Sequence, residues 1–315
     1  MSRAGWLALL AAVALVCMLL SLSAGSIRLD WMEIFSGNAS RLDYQILFDL
    51  RLPRVIDAFT TGALLAVSGA LMQVLLRNPL ADPYVLGLSG GASVMALLAM
   101  LAGAGSFGMT GGAFCGAMIS MLLVFGLAGF GRPARLVLTG VALAAGWGAL
   151  VTLLLSISPE RDLRGMIFWL AGNLDHSSSP YPGIAGLVAA LIFALPVSRD
   201  LNLLSRGEET AASLGVEVMK LRVRIYFLCA LLTSIAVMTA GSIGFVGLIV
   251  PHALRLLAGS DHRLVIPGSM LAGGILLVSA DTLARTVIAP QQLPAGVVMA
   301  LLGVPMFLYL VSKKP

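Results

Sequence analysis

Charge is scarce in this sequence. Asp, Glu, Lys and Arg make up 11% of its 315 residues, while 59% are hydrophobic. Soluble domains carry about 25% charged residues, so the composition excludes an ordinary soluble protein and points to an integral membrane one. Lysine is scarcer still. Lys220, Lys313 and Lys314 are the whole complement, none follows a glycine, and no G-x-x-x-x-G-K-[ST] run occurs. The backbone cradle and lysine that hold phosphates in that class of ATPase are therefore missing. Three histidines, widely scattered, do not supply the clustered groups of an intramembrane enzyme. Cys17, Cys115 and Cys229 each lie inside an apolar block, at spacings that suit neither a disulfide framework nor a metal site. No segment repeats as a channel filter would. Asp57 and Asp281 stand near the ends of apolar blocks, away from the broken mid-membrane helices where secondary transporters place coupling carboxylates.

What the chain does have is apolar length. Ten blocks fall near 4–24, 55–76, 91–108, 111–130, 136–157, 183–198, 224–241, 243–258, 264–288 and 293–311. A spanning helix needs about 20 apolar residues, so the expectation is a single all-α membrane domain over 1–315 with about ten transmembrane helices. Thirty-five glycines suit helices packed closely in lipid. Blocks six and eight are short. Block eight also holds Gly244, Gly247 and Pro251, and reads as a broken or partly re-entrant element buried in protein. The first block has signal-peptide features, but removing it would leave an odd number of spans, so it reads as a span. With a cytoplasmic amino terminus, seven of the 20 Lys and Arg (Arg28, Arg41, Arg51, Arg54, Arg161, Arg164, Arg285) fall outside and the other thirteen inside. The excess of inside basic residues predicts both termini in the cytoplasm, and the net charge of +5 is read as topology, not nucleic-acid binding.

The longest polar interruption, 199–224, separates six blocks from four. Within it Ser205 stands three residues before Glu208, a capping-box spacing. Glu208 and Glu209 suit the first turn of a helix, and Gly215 suits its left-handed end. The expectation is a helix of roughly nine residues, too short to be stable alone and therefore packed on something, with a solvated connection as the alternative. Between blocks two and three, Pro79 and Pro83 exclude a continuous helix and bias Asn78 away from helical angles. This reads as a rigid hinge with Leu80 able to plug a narrow passage, or as a plain turn. Asp57, Gln73, His252 and Asp281 are polar groups in or near apolar blocks. They form no regular relay, so helix-to-helix hydrogen bonding is expected of them. His176, in a serine-rich loop, reads as solvated, and Met299 and Met306 as packing.

Several runs together resemble one family: RLPR at 51–54, GALLAVSGALMQ at 62–73, RNPLADP at 77–83, FWLAG at 168–172, Arg206-Gly207-Glu208 through Leu214-Gly215, GSIGFVGLIVPH at 241–252 and LPAGV at 293–297. In this order, over almost the whole chain, they resemble the FecCD-type (BtuC-like) permeases of bacterial ABC importers for iron-siderophores, haem and cobalamin.

The resemblance implies the type II ABC importer permease fold and a subunit without its own ATPase site. It implies a homodimer in the bacterial inner membrane, two copies of a separate ATPase that uses ATP and Mg, and a substrate-binding protein on the outer side. No cofactor or metal is implied for this chain itself. It assigns ATPase coupling to Arg206, Gly207, Glu208, Glu209, Ala211, Leu214 and Gly215 in the loop 199–224. It assigns binding-protein docking to Arg51, Arg54 and Arg285, with snorkelling to lipid headgroups as the alternative. A cytoplasmic gate is assigned to Asn78 and Leu80, with a partner near Pro133 and Ala134. An iron chelate or haem is the implied cargo, with cobalamin as the alternative; an ion-coupled secondary transporter is a remoter one.

Overall fold

Helix α4 (Leu52–Leu75) forms the axis of the molecule. The most apolar 18 residues of the continuous helical stretch that contains it are 89% buried, against 11% for the amino-terminal helix. Its sequence explains the position. Gly62, Ala63, Ala66, Gly69 and Ala70 leave little side chain between α4 and its neighbours, so backbones approach closely, as small residues permit in membrane bundles. A Cβ at Gly62 would stand 2.2 Å from the carbonyl oxygen of Gly273, and one at Gly69 would stand 1.9 Å from that of Gly247. Gly69→Ala is expected to destabilise the chain by about 1–3 kcal/mol, the usual range for overpacking, because the obstruction is backbone and cannot rotate away. Thermal unfolding in detergent measures it; an unchanged midpoint would mean that α4 and its neighbour can separate freely.

The computed structural model describes the chain except residues 1, 26, 28, 130–132, 176–178 and 313–315 and the side chains of 35, 133, 310 and 311. Among the described residues the regular structure is helical. In order come α1 (Arg3–Ser23), α2 (Trp31–Ser36), α3 (Arg41–Gln45), a π turn (Ile46–Arg51) and α4. A 3-10 turn (Pro83–Leu86) precedes α5 (Leu88–Leu101), α6 (Gly105–Ala128), α7 (Pro133–Ile157), α8 (Glu160–Leu170) and α9 (Tyr181–Ala194). Then follow α10 (Ser198–Leu204), α11 (Glu208–Ser213), α12 (Val218–Ala240), α13 (Val246–Ala258), α14 (His262–Thr286) and α15 (Ala295–Ser312). Helices α9, α12, α13 and α14 pack on α4, α1 packs on α14, and α5 pairs with α6.

Every expected apolar block carries a helix, but not all are full spans. Among the described residues six helical stretches are long and apolar enough to cross a membrane. One bent pair, α9 and α10 at 66°, supplies a seventh, and the shorter apolar helices α5, α13 and α15 bring the elements to ten. Block eight is short, as expected: α13 has 13 residues and is entered through Phe245 in the left-handed region, with φ of 71°. At 1.5 Å per residue it reaches about 20 Å, short of a bilayer core of about 30 Å. The boundary between blocks three and four moves. The turn falls at 102–104, not 109–110, because Gly103 and Gly105 (φ of 66° and 64°) break the helix earlier.

Candidate functional site

The two ends of α4 carry the two sets of assigned residues, Arg54 at one end and Arg77 just past the other, about 35 Å apart at helical rise.

At the Arg77 end, the stretch 199–224 folds as α10, α11 and about the first two turns of α12. Helix α11 has six residues instead of nine, and the expected capping box does not form. The Ser205 hydroxyl instead donates to the carbonyl of Asn202 at 2.8 Å, closing the end of α10. The N-cap of α11 is Gly207, with no side-chain cap. Glu208 is drawn away by cations: Oε1 accepts from Arg77 Nη2 at 2.7 Å and also pairs with Arg222. The other end forms as expected. Gly215 has φ of 85°, its N–H donates to Ala212, and the Val216 N–H donates to Ala211 at 3.0 Å. Those two bonds are the pattern of a Schellman stop.

The structure divides the assigned coupling residues. Ala211 is fully buried and Glu208 is engaged internally, whereas Arg206, Glu209, Leu214 and Gly215 are exposed, Leu214 by 57%. Gly207 lies between them as the turn between α10 and α11. The amino end belongs to the same end of the bundle: Arg3 pairs with Asp261, whose Oδ1 accepts from Asn202 on α10 at 2.9 Å.

The assigned gate residues lie at this end too. Asn78 Oδ1 accepts from the Leu80 N–H at 2.9 Å, and the Asn78 carbonyl accepts from Ala81 at 3.0 Å, an Asx turn that leaves Asn78 and Leu80 exposed. The segment beyond is fixed. Asp82 caps the 3-10 turn through the Tyr84 N–H at 2.8 Å, and the Tyr84 hydroxyl accepts from the Ile243 N–H at 3.3 Å. Burial pushes the Asp82 carboxyl up to about 6, and burial with the neighbouring Asp82 charge raises the Tyr84 phenol as well. Residues 130–132 and the side chain of Pro133 lie outside the described residues, so the expected gate partner at Pro133 and Ala134 is not placed against Leu80. What abuts this segment from α7 is Gly140, where a Cβ would stand 2.4 Å from the Val85 carbonyl.

At the opposite end Arg51, Arg54 and Arg285, 234 residues apart from first to last, converge on one cavity of about 450 Å³ that Asp49, Asp57, Asp175 and Gln292 also line. They are not free interfacial side chains. Arg51 and Arg285 are 6% and 8% exposed, so little of either reaches the surface of the chain. Asp281, fully buried on α14, accepts from Arg54 Nη2 at 2.9 Å and from Arg285 Nε at 2.9 Å. Arg54 also pairs with Asp175 and donates to Gln292 at 3.0 Å. Arg285 reaches the Ser21 hydroxyl at 2.9 Å. Arg51 donates to the carbonyls of Leu22 (2.8 Å), Ser23 (3.3 Å) and Ile27, where α1 ends. The cluster knits α1, α4 and α14 together while presenting guanidinium charge to an open cavity.

Of the other polar residues near the apolar blocks, Gln73 joins two helices. Gln73 donates to the carbonyls of Gly247 and Leu248 at 3.3 Å and accepts from Arg255 on α13, a helix-to-helix role. Asp57 and Gln73 sit near opposite ends of α4, so no relay joins them. Met299 is buried, but Met306 is 42% exposed, against the expectation of packing. His176 lies outside the described residues. Helix α8, whose Trp169 is buried, falls in no apolar block because its first five residues carry four charges and only 166–170 is an apolar run.

Comparison with known proteins matches these features. The model of the FecCD transport family fits residues 13–313. The chain is 38% identical over 304 residues to the hemin transport system permease protein HmuU of Yersinia pestis, covering 93% of this chain and 91% of the relative. It is 39% identical over 304 residues to the Fe(3+) dicitrate transport system permease protein FecD of Escherichia coli K12, covering 94% and 95%. It is 40% identical over 290 residues to the vitamin B12 import system permease protein BtuC of Vibrio cholerae, covering 90% and 87%. A solved structure of a metal-chelate type ABC transporter in an inward-facing conformation superposes with a TM-score of 0.86 at 32% identity, covering 99% of this chain and all of the other.

Proposed function

This chain belongs to the FecCD transport family, and from that premise we propose that it is the membrane subunit through which a ferric chelate or haem is imported, driven by ATP hydrolysis on a separate subunit. That the chain is an ABC importer permease of the type II fold follows from the family match and the structural likeness. The cargo and the assembly are the proposal. Its main support is the arrangement along α4: an arginine-lined cavity at one end and, about 35 Å away at the other, an exposed turn beside the hinge 77–83.

In this reading two copies of the chain meet in the inner membrane, and two ATPase subunits carrying ATP and Mg engage Arg206, Glu209, Leu214 and Gly215. Both termini are then cytoplasmic, on the side of the basic excess. The binding protein docks over Arg51, Arg54 and Arg285, where complementary charge supplies register and encounter rate. Asn78 and Leu80 close the cytoplasmic end of the pathway. Relatives named for hemin and for ferric dicitrate support an iron chelate; the vitamin B12 relatives, at similar identity, support cobalamin as the second reading.

Reconstitution of the chain with its ATPase and binding protein in liposomes tests the proposal. The expected result is ATP-dependent accumulation of haem or a ferric chelate in preference to cobalamin. Faster uptake of cobalamin would establish the second reading, and accumulation driven by an ion gradient without ATP would overturn the importer itself.

A further inference from the structure

Glu208 is the one acidic side chain of the coupling turn that faces inward, and what it touches is not on its own element. Arg77, one partner, is the first residue beyond the C-cap of α4. Its φ of 49° lies in a region that residues other than glycine rarely occupy. Such a conformation persists where the surroundings over-determine it. Here the Arg77 N–H donates to Val74 and the Asn78 N–H to Gln73, while the guanidinium is held by Glu208. The next residues are the Asn78–Leu80 turn. Arg222, the other partner, stands in the first turns of α12 with its side chain 8% exposed. Among the described residues Glu208 is its only ion-pair partner. One carboxylate thus joins the end of α4, the start of α11 and the start of α12 across 145 residues of chain. Of the other acidic residues close by, Glu209 is exposed and Glu217 pairs with Lys220 at 2.6 Å.

An ion pair as exposed as Glu208 with Arg77, at 39% and 40%, adds little to stability, so stability alone is a weak reason for the arrangement. Connection is a better one. The loop 77–83 has its far end fixed by Asp82 and Tyr84, and its near end is held from outside α4 by this carboxylate. We propose that Arg77, Glu208 and Arg222 form the ionic tie that passes movement of α11 to the loop 77–83. Glu208 is a positioning residue, Arg222 its anchor and Arg77 the arm that carries Asn78 and Leu80. The inference rests on the reading of α11 as the ATPase-contacting turn, and it removes Glu208 from the groove-contacting set.

Two measurements separate the tie from that reading. Hydrogen exchange on the purified chain needs no transport. Glu208→Gln and Arg77→Gln are each expected to speed exchange of the Asn78, Leu80 and Ala81 amides severalfold, as loss of local contacts does, while Glu217→Gln does not. In the reconstituted importer, cargo moved per ATP hydrolysed is expected to fall roughly tenfold in both variants, a coupling effect of ordinary size. The double variant should be no worse than either single one, and Arg77→Lys should recover most of the loss. Unchanged exchange in Glu208→Gln, additive losses in the double variant, or faster exchange with unchanged coupling would each overturn the proposal. If the unsubstituted complex moves no cargo with ATP, the functional reading fails, while the exchange measurement still decides whether the tie exists.

Discussion

Asp281→Ala is expected to cost the fold about 3 kcal/mol or more, because it leaves the buried Arg285 guanidinium and the half-buried one of Arg54 without the carboxylate they share. Removing one member of a buried ion pair typically costs 3–5 kcal/mol. The lower end is appropriate here, since each arginine keeps other acceptors. Arg54 retains Asp175 and Gln292, and Arg285 retains the Ser21 hydroxyl. At roughly 2–4 °C per kcal/mol for larger domains, the detergent-solubilised chain should melt about 6–12 °C lower. Asp281→Asn should fall between, since the amide oxygen can still accept from Arg54 or Arg285 but carries no charge. A midpoint within a degree of the unsubstituted chain for Asp281→Ala would mean that water or lipid headgroups satisfy these arginines and that the cluster is not structural. The outcome also governs how docking is tested. Reversing Arg285 to glutamate would set a second carboxylate beside Asp281, and reversing Arg51 would set one against the carbonyls at the end of α1, so loss of binding-protein stimulation in such variants reports folding as much as contact.

Which features could be read from the sequence follows from how far apart their causes lie. Ten apolar elements were legible because hydropathy is a property of adjacent residues, and the stop at Gly215 because a left-handed C′ glycine needs only its own turn. The capping box was misread for the opposite reason. Ser205 and Glu208 have the required spacing, but Glu208 has Arg77 and Arg222 within reach, and a charge-assisted bond to a cation outcompetes one to a backbone N–H. Nothing within a few residues of Glu208 announces partners 131 residues upstream and 14 downstream. The arginines near the other end were legible as a set through resemblance and as polar residues at block ends. Their burial was not, because it depends on Asp281 arriving from α14 and on the carbonyls at the end of α1. The close approach of α4 to α13 and α14 had a local sign in Gly62 and Gly69. Which helix would fill each notch had none.

Leu214→Asp is the substitution expected to disable transport with least harm to the chain. Leu214 is the C-cap of α11, 57% exposed, and its backbone N–H bonds to Thr210 and Ala211, which an aspartate leaves intact. Surface changes of this kind usually stay within about 0.5 kcal/mol, so the melting midpoint should hardly move. If α11 seats in a groove on an ATPase, however, Leu214 is the one large apolar side chain that the turn offers, flanked by Ala212, Ser213 and Gly215. Apolar anchors surrounded by small residues have the form of interface hot spots, where a loss of 2 kcal/mol or more, roughly 30-fold in affinity, follows truncation. A carboxylate there would add the cost of burying an unpaired charge. The expected result is at least roughly 30-fold weaker association between the detergent-solubilised chain and its ATPase, with uptake in liposomes reduced in proportion. Gly215→Pro should act differently, removing the N–H that closes the Schellman stop and so disordering the end of α11 itself. Unimpaired ATPase association in Leu214→Asp would detach α11 from the coupling role, since the other exposed members, Arg206 and Glu209, contribute charge that salt screens and that alone would not hold a moving joint.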